Sequence, residues 1–265
     1  MMENDKQIPF KLGHIVFAEK NKQLWGFHVT CDNVPGVLKK VTEKFSRNNV
    51  NIVSLAVPEA SREEVVGIFI VGDFTNMQLD PKEVLEEILS VKEVRNAKLI
   101  KPLNNILHDP YFFPIIIGKS RVVLLGEANL KGFFNVFRER FGDEIALTVL
   151  YHLGYSVGLK AFELHFEEYA GDLTKCLNIL SALLLSYGWA RIETVSASKN
   201  GICIRAYDLW ECSILDRRGS TGSSYFRGTL AGLFSRILGS EVSVIETKCI
   251  SKGDPFCEFY IVVNE

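Results

Sequence analysis

Cysteine is sparse in this sequence: six among 265 residues, at positions 31, 176, 203, 212, 249 and 257. That excludes the disulfide-dense framework of a small secreted domain and makes free thiols the default. An excess of one charge is also missing. Lys and Arg number 30 against 32 Asp and Glu, a formal net charge of −2, so there is no general electrostatic footprint for nucleic acid. The five histidines (14, 28, 108, 152 and 165) form no pair at metal-ligand spacing, and no Ser/His/Asp or Cys/His triad is readable. No Gly-x-Gly-x-x-Gly follows a strand and no Gly-Lys-Ser/Thr closes a phosphate loop, which leaves a nucleotide-dependent reductase without support. The start, "MMENDKQIPFKLG", lacks the charged-then-apolar pattern of a signal peptide. Apolar runs such as "CLNILSALLLSYGWA" are too short and interrupted to span a bilayer. The expectation is a cytoplasmic protein with no membrane span and no direct nucleic-acid binding.

What is present suits two domains: a chain of this length with 47% apolar residues. "LWGFHVTC" (24–31) alternates as a strand and runs into a helix in "DNVPGVLKKVTEKFSRNN". There Pro35 suits a first turn, and Val37, Leu38, Val41 and Phe45 share one apolar face. "VNIVSLAVP" and "EEVVGIFIVGDF" read as strands, "DPKEVLEEILS" as a helix capped by Asp80 with Pro81 at its first position, and "EVRNAKLIKP" as a closing strand. The order β-α-β-β-α-β is the ferredoxin-like plan. Within it, "DNVPGVL" followed by "NVNI" resembles the ACT domain, a regulatory module that in many cases binds amino acids. The resemblance covers about residues 22–101, within a domain placed at 20–101 after an N-terminal extension over 1–19. It implies pairing into a homodimer and a small-molecule site at the turn between first strand and first helix, with Asp32, Asn33, Gly36 and Asn51 as ligand-binding residues. The alternative is a turn merely shaped by Pro35 and Gly36 in a dimerisation module.

Three prolines and an Asn pair mark 102–117 as a connection. Beyond it, "RVVLLG" reads as a strand and "NLKGFFNVFRERFG" as a helix with Leu130, Phe133, Phe134 and Phe137 on its inner face. "EIALTVLYHLGYSVGLKAFELHF" is apolar nearly all round, the mark of a central buried helix. An amphipathic helix ends at Gly188, a hairpin turns at "KNG", a helix in "YFRGTLAGLFSRILG" buries Phe226, Leu230, Leu233, Phe234 and Ile237, and a second hairpin closes the chain. Gly154 and Gly158, and again Gly228 and Gly232, lie four apart and so share helix faces. The fold class is α+β: a ferredoxin-like module, then a mainly antiparallel sheet with packed helices over 118–265.

"LYHLGYSVGLKA", "LLLSYGWARIE" and "GTLAGLFSRILGSEVSVIETKCISKGDPFCEFYIV" together resemble the 4-vinyl reductase-type domain, also the sensor domain of phenol- and xylene-responsive activators. An ACT module ahead of it is similar to proteins described as hydrocarbon-binding regulators. The resemblance implies a cavity for an apolar or amphipathic ligand, lined by Tyr151, Tyr155, Phe162, Trp189, Tyr225 and Arg227. The charge at Arg227 points to an acidic ligand if it faces that cavity. The resemblance also implies zinc, held by Glu246, Cys249, Cys257 and a cysteine five residues before Gly228, where this chain has Ser223. A serine hydroxyl stays protonated near neutral pH and is a poor structural zinc ligand. The sequence therefore leans to a hairpin whose two thiols act as small hydrophobes, with Ser223, a water or Cys212 left as candidates to complete a metal site. "DRRGSTGSS" (216–224) reads as a solvated, helix-capping loop rather than a phosphate site. The functional expectation is a small-molecule-sensing regulatory protein with no catalytic residues. The alternatives are a reductase or accessory protein in tetrapyrrole metabolism and a ligand-free interaction subunit.

Overall fold

The computed structural model describes residues 9–59, 63–198, 201–214 and 222–264, which group into two compact units divided between Val123 and Leu124. Positions 199–200 of the expected hairpin turn and most of the loop 216–224 lie outside the described residues.

The first unit contains β1 (Ile15–Phe17), β2 (Leu24–Asp32), α1 (Val37–Arg47), β3 (Asn51–Ala56), β4 (Val65–Asp73), α2 (Pro81–Leu89), β5 (Val94–Ile100), β6 (Ile106–His108), β7 (Ile116–Ile117) and β8 (Ser120–Arg121). Its main sheet runs β3-β4-β2-β5 with every pairing antiparallel, which is the expected β-α-β-β-α-β plan. Alternation sends Phe27, Val29 and Cys31 of β2 to the helical face, where they meet Val41 and Phe45 of α1 and Val84 and Ile88 of α2. Asp80 caps α2 as expected: its carboxylate accepts from the Lys82 N–H at 2.9 Å, while the Glu83 side chain accepts from the Asp80 N–H at 3.1 Å. Two expectations for α1 change. Gly36 adopts φ +89°, so the helix starts at Val37 and Pro35 stays outside it, and Leu38 turns outward.

The extension and the connection carry structure of their own. β1 pairs with β6, and Leu107 and Phe112 cover Leu24, Phe69 and Val71 on the sheet face opposite the helices. Gly67 makes this possible, because a Cβ there would stand 3.0 Å from the Phe112 ring. The stretch 102–117 thus packs onto the first sheet. It is pinned by Asp109, whose carboxylate meets His28 Nδ1 at 2.6 Å and accepts from the Tyr111 N–H at 2.6 Å.

The second unit contains α3 (Glu127–Phe141), α4 (Asp143–His165), α5 (Leu173–Ser186), β9 (Arg191–Ser198), β10 (Gly201–Tyr207), α6 (Trp210–Ser213), α7 (Ser224–Leu238), β11 (Val242–Lys248) and β12 (Cys257–Val263). The sheet order is β11-β12-β10-β9, antiparallel throughout. Phe226, Leu230, Leu233, Phe234 and Ile237 of α7 pack with Leu177, Leu180 and Leu184 of α5 and with Ile202, Ile204, Phe259 and Ile261 of the sheet.

Three readings need correction. Of the residues expected as a strand over 121–126, Arg121 alone lies in a strand, and the Val122 N–H donates to the Ile115 carbonyl at 2.9 Å. On α3, Phe134 alone is buried and Phe133 is 65% exposed. α4 buries a single stripe (Ala146, Leu150, Gly154, Gly158 and Phe162) and leaves Leu153 and Leu164 outside, so it is not sealed on all sides. By length and composition α4, which the sequence reads as a central buried helix, is long and apolar enough to cross a membrane. Its glycine stripe, however, is closed by α7. A Cβ on Gly154 would lie 2.0 Å from the Tyr225 carbonyl oxygen, and one on Gly228 2.0 Å from that of Tyr151.

Candidate functional site

The final hairpin brings chemistry together because its strands alternate. Val242 and Val244 of β11 face the core, so Glu246 two residues on faces it too. After β11 the chain makes a short 3-10 turn over Ile250–Lys252. Gly253 takes φ +97°, and the Asp254 carboxylate accepts from the Cys249 N–H at 2.8 Å. This turn holds Cys249 at the head of the loop opposite Cys257, the first residue of β12. Both thiols are fully buried.

The fourth donor comes from α6. In this short helix Glu211 and Cys212 are adjacent and do different work. The Glu211 carboxylate accepts from the N–H groups of Tyr225 (3.0 Å) and Phe226 (2.8 Å), so it caps the start of α7. Cys212 turns its sulfur to Cys249, 3.5 Å away, and Cys257 lies 4.0 Å from Cys249 on another side. One donor atom each from Cys212, Glu246, Cys249 and Cys257 lies within 4.8 Å of all the others, the one such group of His, Cys, Asp or Glu among the described residues. Four ligands at about 2.3 Å around a tetrahedral zinc would place sulfurs about 3.8 Å apart, so the spacing fits a single thiolate-bound ion. The Glu246 Oε1 atom is buried with no hydrogen-bond partner among the described residues, which also suits a ligand oxygen.

The electrostatics of the cluster follow from burial and sulfur contacts. Hydrogen bonds from Cys212 and Cys257 pull the Cys249 thiol far below its ordinary value, making it the first thiolate. Its neighbours respond in the opposite sense. Cys212 rises because it donates to Cys249. Cys257 is lowered by Cys212, but its hydrogen bond to Cys249 and its burial outweigh this and push it up to about 12. Burial raises Glu246 to about 7, opposed by the nearby Ser223 hydroxyl and, more weakly, by the charge of Arg227. Backbone also supports the sulfurs: the Ile250 N–H donates to Cys257 Sγ at 3.5 Å.

Cys212 is the residue that sequence reasoning cannot place. Ser223, at the position where the resemblance expects a cysteine, is fully buried at the entry to α7, and its hydroxyl has no well-formed hydrogen bond among the described residues. Gly222 beside it approaches the cluster so closely that a Cβ would lie 3.2 Å from Cys212 Sγ.

The other expected site residues fall into three places. In the first unit, Asn33 and Gly36 line a cavity of about 310 Å³ with Val34, Val37, Leu38, Val57, Pro58, Val66 and Ile68. Asp32 instead pairs with Arg95 at 2.6 Å, and Asn51 is exposed at the start of β3; neither lines that cavity. In the second unit, Trp189 and Tyr225 join Trp210 and Phe134 in one aromatic group with ring centroids 5.5–6.2 Å apart. Tyr155 reaches Ser235 Oγ at 3.4 Å, Phe162 lies under Arg236, and Arg227 sits near enough to Tyr151 to oppose the burial that raises its phenol.

Residues 27–96 match the AHAS small subunit-like ACT domain, and residues 224–263 match the vinyl-4-reductase domain. Two uncharacterised proteins of Methanocaldococcus jannaschii are similar. One is 35% identical over 104 residues, 37% of this chain and 63% of its own length; the other is 23% identical over 118 residues, 44% and 65% respectively. The chain thus spans less than two thirds of the length of these curated relatives. The phenol-responsive sensory domain of the transcription activator PoxR, solved with phenol, is 19% identical, with 56% of this chain and 79% of that one covered at a TM-score of 0.49. The chain thus carries an ACT-like domain over 27–96 and a vinyl-4-reductase domain over 224–263.

Proposed function

We propose that this protein is a cytoplasmic, small-molecule-sensing regulator whose ACT-like module binds a small amino acid. The observation that carries this reading is the cavity of about 310 Å³ at the turn from β2 into α1. Its walls are aliphatic, and Gly36 in the left-handed conformation leaves the first turn of α1 without a side-chain cap or an acidic residue. Apolar walls beside uncapped helix N–H groups suit an aliphatic side chain attached to a carboxylate. Isothermal titration calorimetry with valine, leucine, isoleucine and, as a control, lysine tests this. Binding of an aliphatic member, lost when Val66→Trp fills the cavity, supports the reading; no binding by any of them contradicts it.

The vinyl-4-reductase domain takes an apolar or amphipathic molecule against its aromatic group, and zinc supports that domain through Cys212, Glu246, Cys249 and Cys257. With four protein ligands the site is closed, the arrangement of structural rather than catalytic zinc. The ion would tie α6, the loop after β11 and the start of β12 together, supplying stability and no reactive water. Exposed Phe133, Val136 and Phe141 on α3 support a second copy as partner, so the working unit is a homodimer. Native mass spectrometry of freshly purified protein reads zinc, retained hydrophobic ligand and subunit number together.

A further inference from the structure

We propose that Ser223 and Arg227 are positioning residues that hold Glu246 as the oxygen ligand of the metal centre. The inference rests on the zinc reading of the four-donor cluster and concerns two residues outside it.

Ser223 stands where a helix-capping serine would turn its hydroxyl to the N–H groups of its own first turn, but it makes no such bond. Glu211 already occupies those donors, accepting from Tyr225 and Phe226. The hydroxyl is thereby released to the interior, where it is fully buried and unpartnered among the described residues. Buried hydroxyls rarely stay so without a reason, since the lost hydrogen bond costs free energy. Arg227 follows four residues later, on the same face of α7. Its Nη2 donates to Ser224 Oγ at 3.2 Å, and its Nε is buried without a partner among the described residues. The matching orphan acceptor is Glu246 Oε1. Ser223 and Arg227 both lie close enough to the Glu246 carboxylate to oppose the rise that burial gives it, so two unpaired donors and one unpaired acceptor share this region, next to the Gly222 backbone that approaches Cys212.

The chemistry of the centre explains the arrangement. Three thiolates and a carboxylate around a divalent ion leave a net negative charge, four anions against one dication, and a buried charge of that kind calls for a cation and hydrogen-bond donors nearby. Arg227 supplies the cation. Ser223 supplies the donor that fixes which way the carboxylate turns.

The test measures zinc affinity of the full chain by competition with a chromogenic chelator, together with the absorption spectrum of the cobalt(II)-loaded protein. Ser223→Ala and Arg227→Met are each expected to weaken zinc binding about 10-fold or more. The cobalt–thiolate charge-transfer bands should persist, because all three sulfurs remain, while the ligand-field bands shift as the oxygen ligand loosens. Arg227→Lys should recover part of the loss. A merely structural role would leave the ligand-field bands in place. If both variants hold zinc within about twofold of the parent while Glu246→Gln weakens it, the positioning role is overturned and the metal centre stands. If the parent binds no zinc, or Glu246→Gln changes nothing, the reading of the cluster fails and this inference fails with it. Should Arg227→Met not fold, Ser223→Ala alone decides.

Discussion

The sulfurs of Cys212 and Cys249 lie 3.5 Å apart although 37 residues separate them in the chain. That contact ties a four-residue helix to the loop of the terminal hairpin and adds a fourth donor to the three the hairpin carries. It also changes the chemistry, since three ligands would leave an open position and four close it.

The Glu246 contribution to the stability of the metal-free protein should fall as pH rises, opposite in sign to that of Cys249, whose thiol is held below its ordinary value. Burial raises Glu246 from its ordinary 4.5 to about 7, so the folded state favours the neutral acid. That contribution is fully present below the unfolded value and is lost as pH climbs through 7, amounting to about 3 kcal/mol. Urea unfolding of chelator-treated parent and Glu246→Gln at pH 5 and pH 8 isolates it as the difference between their two slopes. Glu246→Gln should remove this part of the slope, and zinc should offset it in the parent, because a ligated carboxylate is already ionised.

The glycine contact between α4 and α7 should tolerate no side chain. Gly154→Ala or Gly228→Ala places a methyl group 2.0 Å from a backbone carbonyl oxygen. Each is expected to cost about 3 kcal/mol or more, because two helix backbones must separate. Gly132→Ala on α3, where nothing lies within 4 Å, is the control and should leave thermal unfolding unchanged or slightly raised.

Asp109→Ala should loosen the stretch that covers the first sheet. The carboxylate accepts from the N–H groups of Tyr111 and Phe112 and holds His28, so its removal strands several part-buried groups. A cost of about 2–3 kcal/mol is expected, read by urea unfolding, together with faster proteolysis between residues 102 and 117.

Legibility in the sequence tracks how local the signal is. The capping box at Asp80 and Glu83, the apolar face of α7 and the pairing of β11 with β12 depend on neighbours close in the chain, and they are readable. The β1–β6 ladder is not: each strand is three residues long and the pair spans most of the first unit. Pro35 suggests an earlier helix start than Gly36 permits, because φ +89° sets the boundary. In the four-donor cluster, Glu246, Cys249 and Cys257 share one hairpin and stand out together. Cys212 has no periodicity to announce it, since only the packing of α6 beside Gly222 brings it in.

X-ray absorption at the zinc edge, on the zinc-loaded full chain and its Cys212→Ser variant, tests the four-donor site most directly. The parent is expected to show three sulfurs at about 2.3 Å and one oxygen at about 2.0 Å, and the variant one sulfur fewer with weaker zinc retention. A parent with two sulfurs, or a variant whose sulfur shell and zinc content match the parent, would contradict the assignment of Cys212 as the fourth ligand.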